Sequence, residues 1–293
     1  MESTGEWQQL GLVEGGPERF FRVARPEARG EVVASSMPVG PWLNGPSGRP
    51  LAGALGVLID NVGGYALQRG RPRGGWSVSA EITLDLLRPV PADGAVLVAE
   101  GSVRHADPVG GFASVSVIDG SGRLLAVCTQ RGRWVPRAPA AGNGTAPAST
   151  APASTAPAST APASTAPARG VPSTSDLARF LGGLARAADG AGLLELTVTP
   201  ELTNPLGSMH GGVALCACDL VTEAAIEAAG GPPRTASIHV AYLRPIPLGT
   251  RVRFTAQVTH LGRAFGVVRV TAVNADGKPC VIATVTTGPP VSP

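Results

Sequence analysis

The chain has 293 residues, enough for two domains of ordinary size, and 43% of them are hydrophobic, so each domain could bury a core. A net charge of +3 without any basic run gives no support to nucleic-acid binding. No apolar run reaches the ~20 residues that span a bilayer, and the opening MESTGEWQQLG lacks the charged-then-apolar pattern of a secretory leader. A cytoplasmic protein with neither nucleic-acid nor membrane partners is therefore expected. Cys128, Cys216, Cys218 and Cys280 show no CxxC spacing, and Cys216 and Cys218 fall on different faces of any helix. They read as buried free thiols, and neither a metal nor another cofactor is expected.

The first predicted element is an apolar helix, LAGALGVLIDNVGGYAL, over residues 51–67. Its one charge is Asp60, with Gly56 and Gly64 four residues to either side. A lone carboxylate in such a helix is costly unless it has a partner or a task. Leu87-Arg88-Pro89 follows, then three strand-like runs, the last two joined by turn residues at Asp119–Arg123. A Pro/Ala-rich stretch over 136–172 then carries the repeat APASTAPASTAPASTAPAST at 146–165. It has nothing to build a core from, so a disordered tether is expected, able to reach roughly 90 Å if extended. These boundaries imply an N-terminal domain over 1–135 and a C-terminal domain over 173–293.

The second half repeats the plan. HGGVALCACDLVTEAAIEAA is a long apolar helix candidate, followed by Leu243-Arg244-Pro245 and three more strand-like runs with a turn at Asp276–Lys278. Each half reads as a helix and an antiparallel meander, an α+β plan. A helix apolar on nearly every side must be surrounded, and a curved sheet wrapped around it achieves that.

Gly211 and Gly212 stand where the second helix begins. The first backbone N–H groups of a helix lack internal partners and carry the positive end of its dipole, and glycine lets a ligand approach them. The same glycines also suit a tight strand-to-helix turn, and spacing alone does not choose between these readings. Asp219 lies eight residues beyond Gly211, about 12 Å along a helix. One helix cannot present both to the same atom; two antiparallel helices can, each lending its Asp to the other's start. Asp219, Glu223 and Glu227 recur every four residues, which equally fits a solvated stripe.

NPLGSMHGG, VALCACD and TASIHVAYLRP together resemble the hotdog-fold acyl-CoA thioesterases of the PaaI and human THEM-type group. The resemblance covers about residues 195–287, with a degenerate copy over about 32–135. It implies two hotdog domains forming an intrachain pseudo-dimer, with the helices antiparallel and the sheets joined edge to edge, and leaves further homo-oligomerisation open. It implies hydrolysis of acyl-CoA or acyl-carrier-protein thioesters, carboxylate-dependent and metal-free, and a place in fatty acid metabolism. Asp219, and Asp60 by the internal alignment, would be nucleophile or general base. Asn204 would orient water or the carbonyl, His210 would support the loop or bind substrate, and the Gly211 N–H would hold the oxyanion. Thr235 and its match Ser79 would assist water or the acid, although both also fit ordinary strand starts. Gly212, Arg244 and Arg88 are candidate substrate contacts, the arginines toward phosphates if they are not simply solvated.

The first half departs from the pattern. Leu51 and Ala52 stand where the second has His210 and Gly211, and Asn44 is one residue out of step with Asn204. Crossing the helices would therefore pair the complete loop with Asp60 and the altered loop with Asp219. A non-catalytic acyl-CoA-binding or scaffold protein and a hotdog hydratase or dehydratase are the alternatives.

Overall fold

Two helices without a solvent face organise the molecule. The computed structural model describes residues 16–72, 75–92, 94–136, 176–182, 185–186, 192–232 and 234–289. Apart from Pro136, the spacer read over 136–172 lies outside them. The first half runs α1 (Pro17–Phe21), β1 (Glu27–Arg29), β2 (Val32–Pro38), α2 (Gly56–Arg69), β3 (Trp76–Leu86), β4 (Val96–Ala106), β5 (Gly110–Ile118) and β6 (Leu124–Val135). The second runs α3 (Asp176–Phe180), β7 (Ala185–Arg186), β8 (Gly192–Thr197), α4 (Gly211–Ala228), β9 (Arg234–Tyr242), β10 (Arg251–Leu261), β11 (Gly266–Asn274) and β12 (Pro279–Gly288). Every residue of α4 from Gly212 to Ile226 is buried, as is α2 from Gly56 to Gly63.

All twelve strands form one antiparallel sheet, ordered β1-β2-β4-β5-β6-β3-β9-β12-β11-β10-β8-β7. Strands alternate strictly where they cover a helix: in β10 Val252, Phe254 and Ala256 are buried while Arg251, Arg253 and Thr255 face solvent. Each half is thus a hotdog, with its helix wrapped by its own strands. The sequence reading missed β2 and β8, which precede the helices. They pair with β4 and β10 at the far side of each half, closing the wrap.

The halves join where β3 pairs with β9, from Glu81↔Ala241 to Asp85↔Ser237. Thr83 faces His239 at the centre of this ladder, with Oγ1 and Nδ1 2.9 Å apart. Phe20 stacks on Phe180 near the start of each half, centroids 4.0 Å apart. The chain is therefore an intrachain pseudo-dimer. Among the described residues no helix is long and apolar enough to cross a membrane, and all four cysteines are buried and free.

Inside the sheet α2 and α4 cross at two glycines. A Cβ on Gly212 would stand 2.3 Å from the Gly56 carbonyl oxygen and 2.5 Å from the Val57 nitrogen. Both obstacles are backbone, so the helices cannot keep this separation with a larger residue. Gly212→Ala is expected to lower stability by about 2–3 kcal/mol, the usual cost of overpacking, as read from the urea midpoint. An unchanged midpoint would show that the crossing can open without loss.

Candidate active site

The crossing brings each helical Asp to the start of the opposite helix. Asp60 Oδ2 accepts from the Gly212 N–H at 2.9 Å, and Asp219 Oδ2 accepts from the Gly53 N–H at 2.8 Å. Each acid also has a strand hydroxyl: Ser79 donates to Asp60 Oδ1 at 2.7 Å and Thr235 to Asp219 Oδ1 at 2.6 Å. Asp219 is fully buried and Glu223 is 7% exposed, so the solvated-stripe reading fails at both. Only Glu227 of the three lies at the surface.

The two sites differ in completeness. At the Asp60 site His210 caps α4 through its own ring, Nδ1 accepting from the Gly212 N–H at 3.1 Å. The same nitrogen lies 3.1 Å from Asp60 Oδ2, and Nε2 lies 3.0 Å from Asn61 Oδ1. Leu51 cannot cap, and the first-half segment accordingly begins as a 3-10 turn over Ala52–Leu55 before α2 proper. The predicted first helix therefore starts later than its apolar pattern suggests.

The loop before α4 is shaped by Asn204, whose Oδ1 accepts from the N–H groups of Leu206 and Ser208 at 2.9 and 3.2 Å. That carbonyl is spent on the loop, so only the amide nitrogen remains to meet a ligand. In the first half the bridge Asn44↔Pro50 matches Thr203↔Met209, which places Gly45 where the second half has Asn204. Glu223 fills the vacated space: a Cβ on Gly45 would stand 1.9 Å from Glu223 Oε2. Ser47 donates to the other oxygen, Oε1, while Oε2 has no partner among the described residues.

A cavity of about 540 Å³ opens beside Asp60, Ser79, Asn204, His210 and Gly211. Its walls are largely apolar, with Trp76, Val78, Leu206 and Ile246 among them, and Arg244 lies on its rim. The Gly211 N–H has no acceptor among the described residues, which leaves it available to a ligand in this cavity. Gly212, read as a substrate contact, is instead buried at the helix crossing and does not line the cavity. The counterpart beside Asp219, Glu223 and Thr235 is about 300 Å³, with Arg88 on its edge. Both exposed arginines donate to hairpin carbonyls, Arg244 to Pro279 at 2.6 Å and Arg88 to Leu124.

Several residues of the larger site were missed from sequence. Gln130 of β6, almost wholly buried, donates through Nε2 to Asp60 Oδ1 at 2.9 Å and to Ser79 Oγ at 2.7 Å. The Tyr242 hydroxyl donates to the Gly211 carbonyl at 2.8 Å. Burial first, and the Asp60 charge second, hold this phenol well above its usual range, so it remains a donor. Asn61 and Glu18 complete the set. A polar residue buried in an apolar strand or helix was the available signal for Gln130 and Asn61.

Comparisons with known proteins agree on the family. Residues 206–281 match the thioesterase superfamily. Human acyl-coenzyme A thioesterase 13 is 31% identical over 98 residues, covering 32% of this chain and 70% of that protein. The orangutan (Pongo abelii) protein of the same description matches equally. Among solved structures, the TesB protein of Mycobacterium avium subsp. paratuberculosis superposes with a TM-score of 0.61 at 12% identity, over 94% of this chain and all of that one. An oleoyl thioesterase from Lactobacillus plantarum does so at 0.57 and 12% identity, over 90% and 99%. At these identities the solved structures speak for the fold alone.

Burial is the main reason that the Glu223 carboxyl is pushed up from its ordinary 4.5 to about 7; the neighbouring Asp219 adds to it, against the Ser47 hydrogen bond and Arg49. Between those two values the folded chain holds a proton that the unfolded chain has lost. Stability should therefore fall as pH rises through this window. Glu223→Gln removes that contribution, so wild type should lose urea stability relative to the variant between about pH 4.5 and 7. Parallel stability–pH curves would mean that Glu223 ionises freely.

Proposed function

Because the chain belongs to the thioesterase superfamily, we propose that it hydrolyses acyl-CoA or acyl-carrier-protein thioesters at the Asp60 site, between its two halves. The observation that carries this reading is the placement of Asp60, from the first half, against the start of α4, from the second, beside the larger cavity. The acyl chain lies along the apolar wall. Its thioester carbonyl meets the Gly211 N–H, where the helix dipole and an unpaired donor stabilise the developing oxyanion, a contribution of about 3 kcal/mol for one such donor.

Asp60 acts as the base. Ser79, Gln130 and the Gly212 N–H donate to its two oxygens and hold the carboxylate plane toward the cavity. Water loses a proton to Asp60 as its oxygen bonds to the carbonyl carbon; the tetrahedral intermediate then collapses, breaking the C–S bond, and the departing thiolate takes the proton back. The Asn204 amide nitrogen orients the water or the carbonyl. Arg244, exposed on the rim, faces the charged end of the substrate. Asp219 and Thr235 repeat the acid–hydroxyl pair, but Glu223 occupies their site, so one centre does the work. Arg88 stands at that smaller site and has no part in turnover.

Asp60→Asn should therefore reduce turnover of an acyl-CoA panel by about a hundredfold or more, the scale of a lost general base, whereas Asp219→Asn costs far less. Thiol release by each folded variant measures this, and equal losses would refute the single-site assignment. No His, Cys and carboxylate group in the sequence has metal-ligand spacing, so treatment with a chelator should leave turnover unchanged. Loss on chelation that a divalent ion restores would overturn the metal-free mechanism.

A further inference from the structure

Behind His210 stands a polar pair that the other site lacks. Asn61 follows Asp60 in α2, and its Oδ1 faces His210 Nε2 at 3.0 Å. Its Nδ2 donates to Glu18 Oε1 at 3.2 Å, and that carboxylate oxygen lies 3.8 Å from His210 Nε2. Glu18, Asn61 and His210 are all more than nine-tenths buried. The counterpart of Asn61 is Leu220, the residue after Asp219. The counterpart of Glu18 is Ala178: Phe20 and Phe180 stack on one another, and each lies two residues before a left-handed residue, Arg22 (φ 56°) and Gly182 (φ 88°). The counterpart of His210 is Leu51. Three polar residues at one site thus face three apolar ones at the other, and the change is concerted.

On the reading of the Asp60 site as the hydrolytic centre, we propose that Glu18 and Asn61 are positioning residues for His210. Glu18 Oε1 accepts from Nδ2, so it fixes which end of the Asn61 amide faces the imidazole. The Asn61 carbonyl then confines the ring proton to Nε2. Nδ1 is left as an acceptor, and it shares the Gly212 N–H with Asp60 Oδ2, 3.1 Å away. Two acceptors this close hold any arriving proton between them. The proton that leaves the attacking water is therefore shared by Asp60 and His210 Nδ1 until the thiolate sulfur takes it. While it stays, the imidazolium donates from Nε2 to Asn61, with the Glu18 carboxylate behind.

The full chain has four histidines, so ring ¹⁵N chemical shifts can assign the His210 tautomer. The wild type should show the Nε2–H form. In Asn61→Leu that preference should disappear, and kcat should fall about tenfold or more while KM stays within roughly threefold, the pattern of a lost transition-state contribution. Glu18→Ala should follow in the same direction. Glu18→Gln should recover most of that loss, because its amide oxygen still accepts from Asn61. Glu18→Ala/Asn61→Leu should be no worse than Asn61→Leu alone. A wild-type Nδ1–H tautomer, an unchanged kcat in folded Asn61→Leu, additive losses, or Glu18→Gln as impaired as Glu18→Ala would each overturn the proposal. Should Asn61→Leu not fold, the Glu18 pair carries the same comparison. If the wild type cleaves no thioester, the hydrolytic reading falls, and the tautomer measurement still decides the positioning.

Discussion

The close crossing of α2 and α4 sets the geometry of both acid centres. Gly56 and Gly212 let the two backbones meet without side chains between them. Only at that separation can Asp60 accept from the Gly212 N–H and Asp219 from the Gly53 N–H. The carboxylates would be costly in so apolar a setting; paired with helix-start donors and strand hydroxyls, they become the polar centre of the molecule. The shared β3–β9 ladder outside and the crossing inside hold one another in register.

Duplication supplies two such centres, and the chain has treated them differently. At the Asp60 centre, polar residues accumulate around the acid: His210 and Asn204 from the second half, Gln130, Asn61 and Glu18 from the first. At the Asp219 centre the matching positions are apolar or glycine, and Glu223 fills the room that an asparagine side chain would need. An acid buried without full satisfaction is a burden on stability, and Glu223 Oε2 has no partner among the described residues.

The sequence made legible what repeats locally. Two apolar helices each with one central Asp, and the matching LRP segments, were enough to read a helix and an antiparallel meander in each half and the lending of each Asp to the other helix; the hotdog fold followed from the family resemblance. Ser79 and Thr235 could be aligned because they keep the same distance ahead of LRP. What stayed hidden depends on contacts between distant parts of the chain. Gln130 is 70 residues from Asp60, and Asn61 is 149 from His210; nothing near Gln130 or Asn61 in sequence announces the partner. The four-residue spacing of Asp219, Glu223 and Glu227 leaves a solvated stripe open, because a solvated helix face shows such spacing; only the sheet around α4 reveals that Asp219 and Glu223 are buried. Gly212 is a candidate substrate contact by its place in the motif, whereas in the fold it packs on Gly56 and donates to Asp60.

We propose that one composite centre, Asp60 of the first half with the Gly211 loop of the second, receives the thioester. A crystal structure with a stable acyl-CoA analogue, its sulfur replaced by methylene, would show this. One analogue per chain is expected, its carbonyl oxygen on the Gly211 N–H, its carbonyl carbon facing Asp60, and the site beside Asp219 and Glu223 empty of it. An analogue whose carbonyl lies at Ala52 and Asp219, or one at each centre, would contradict it.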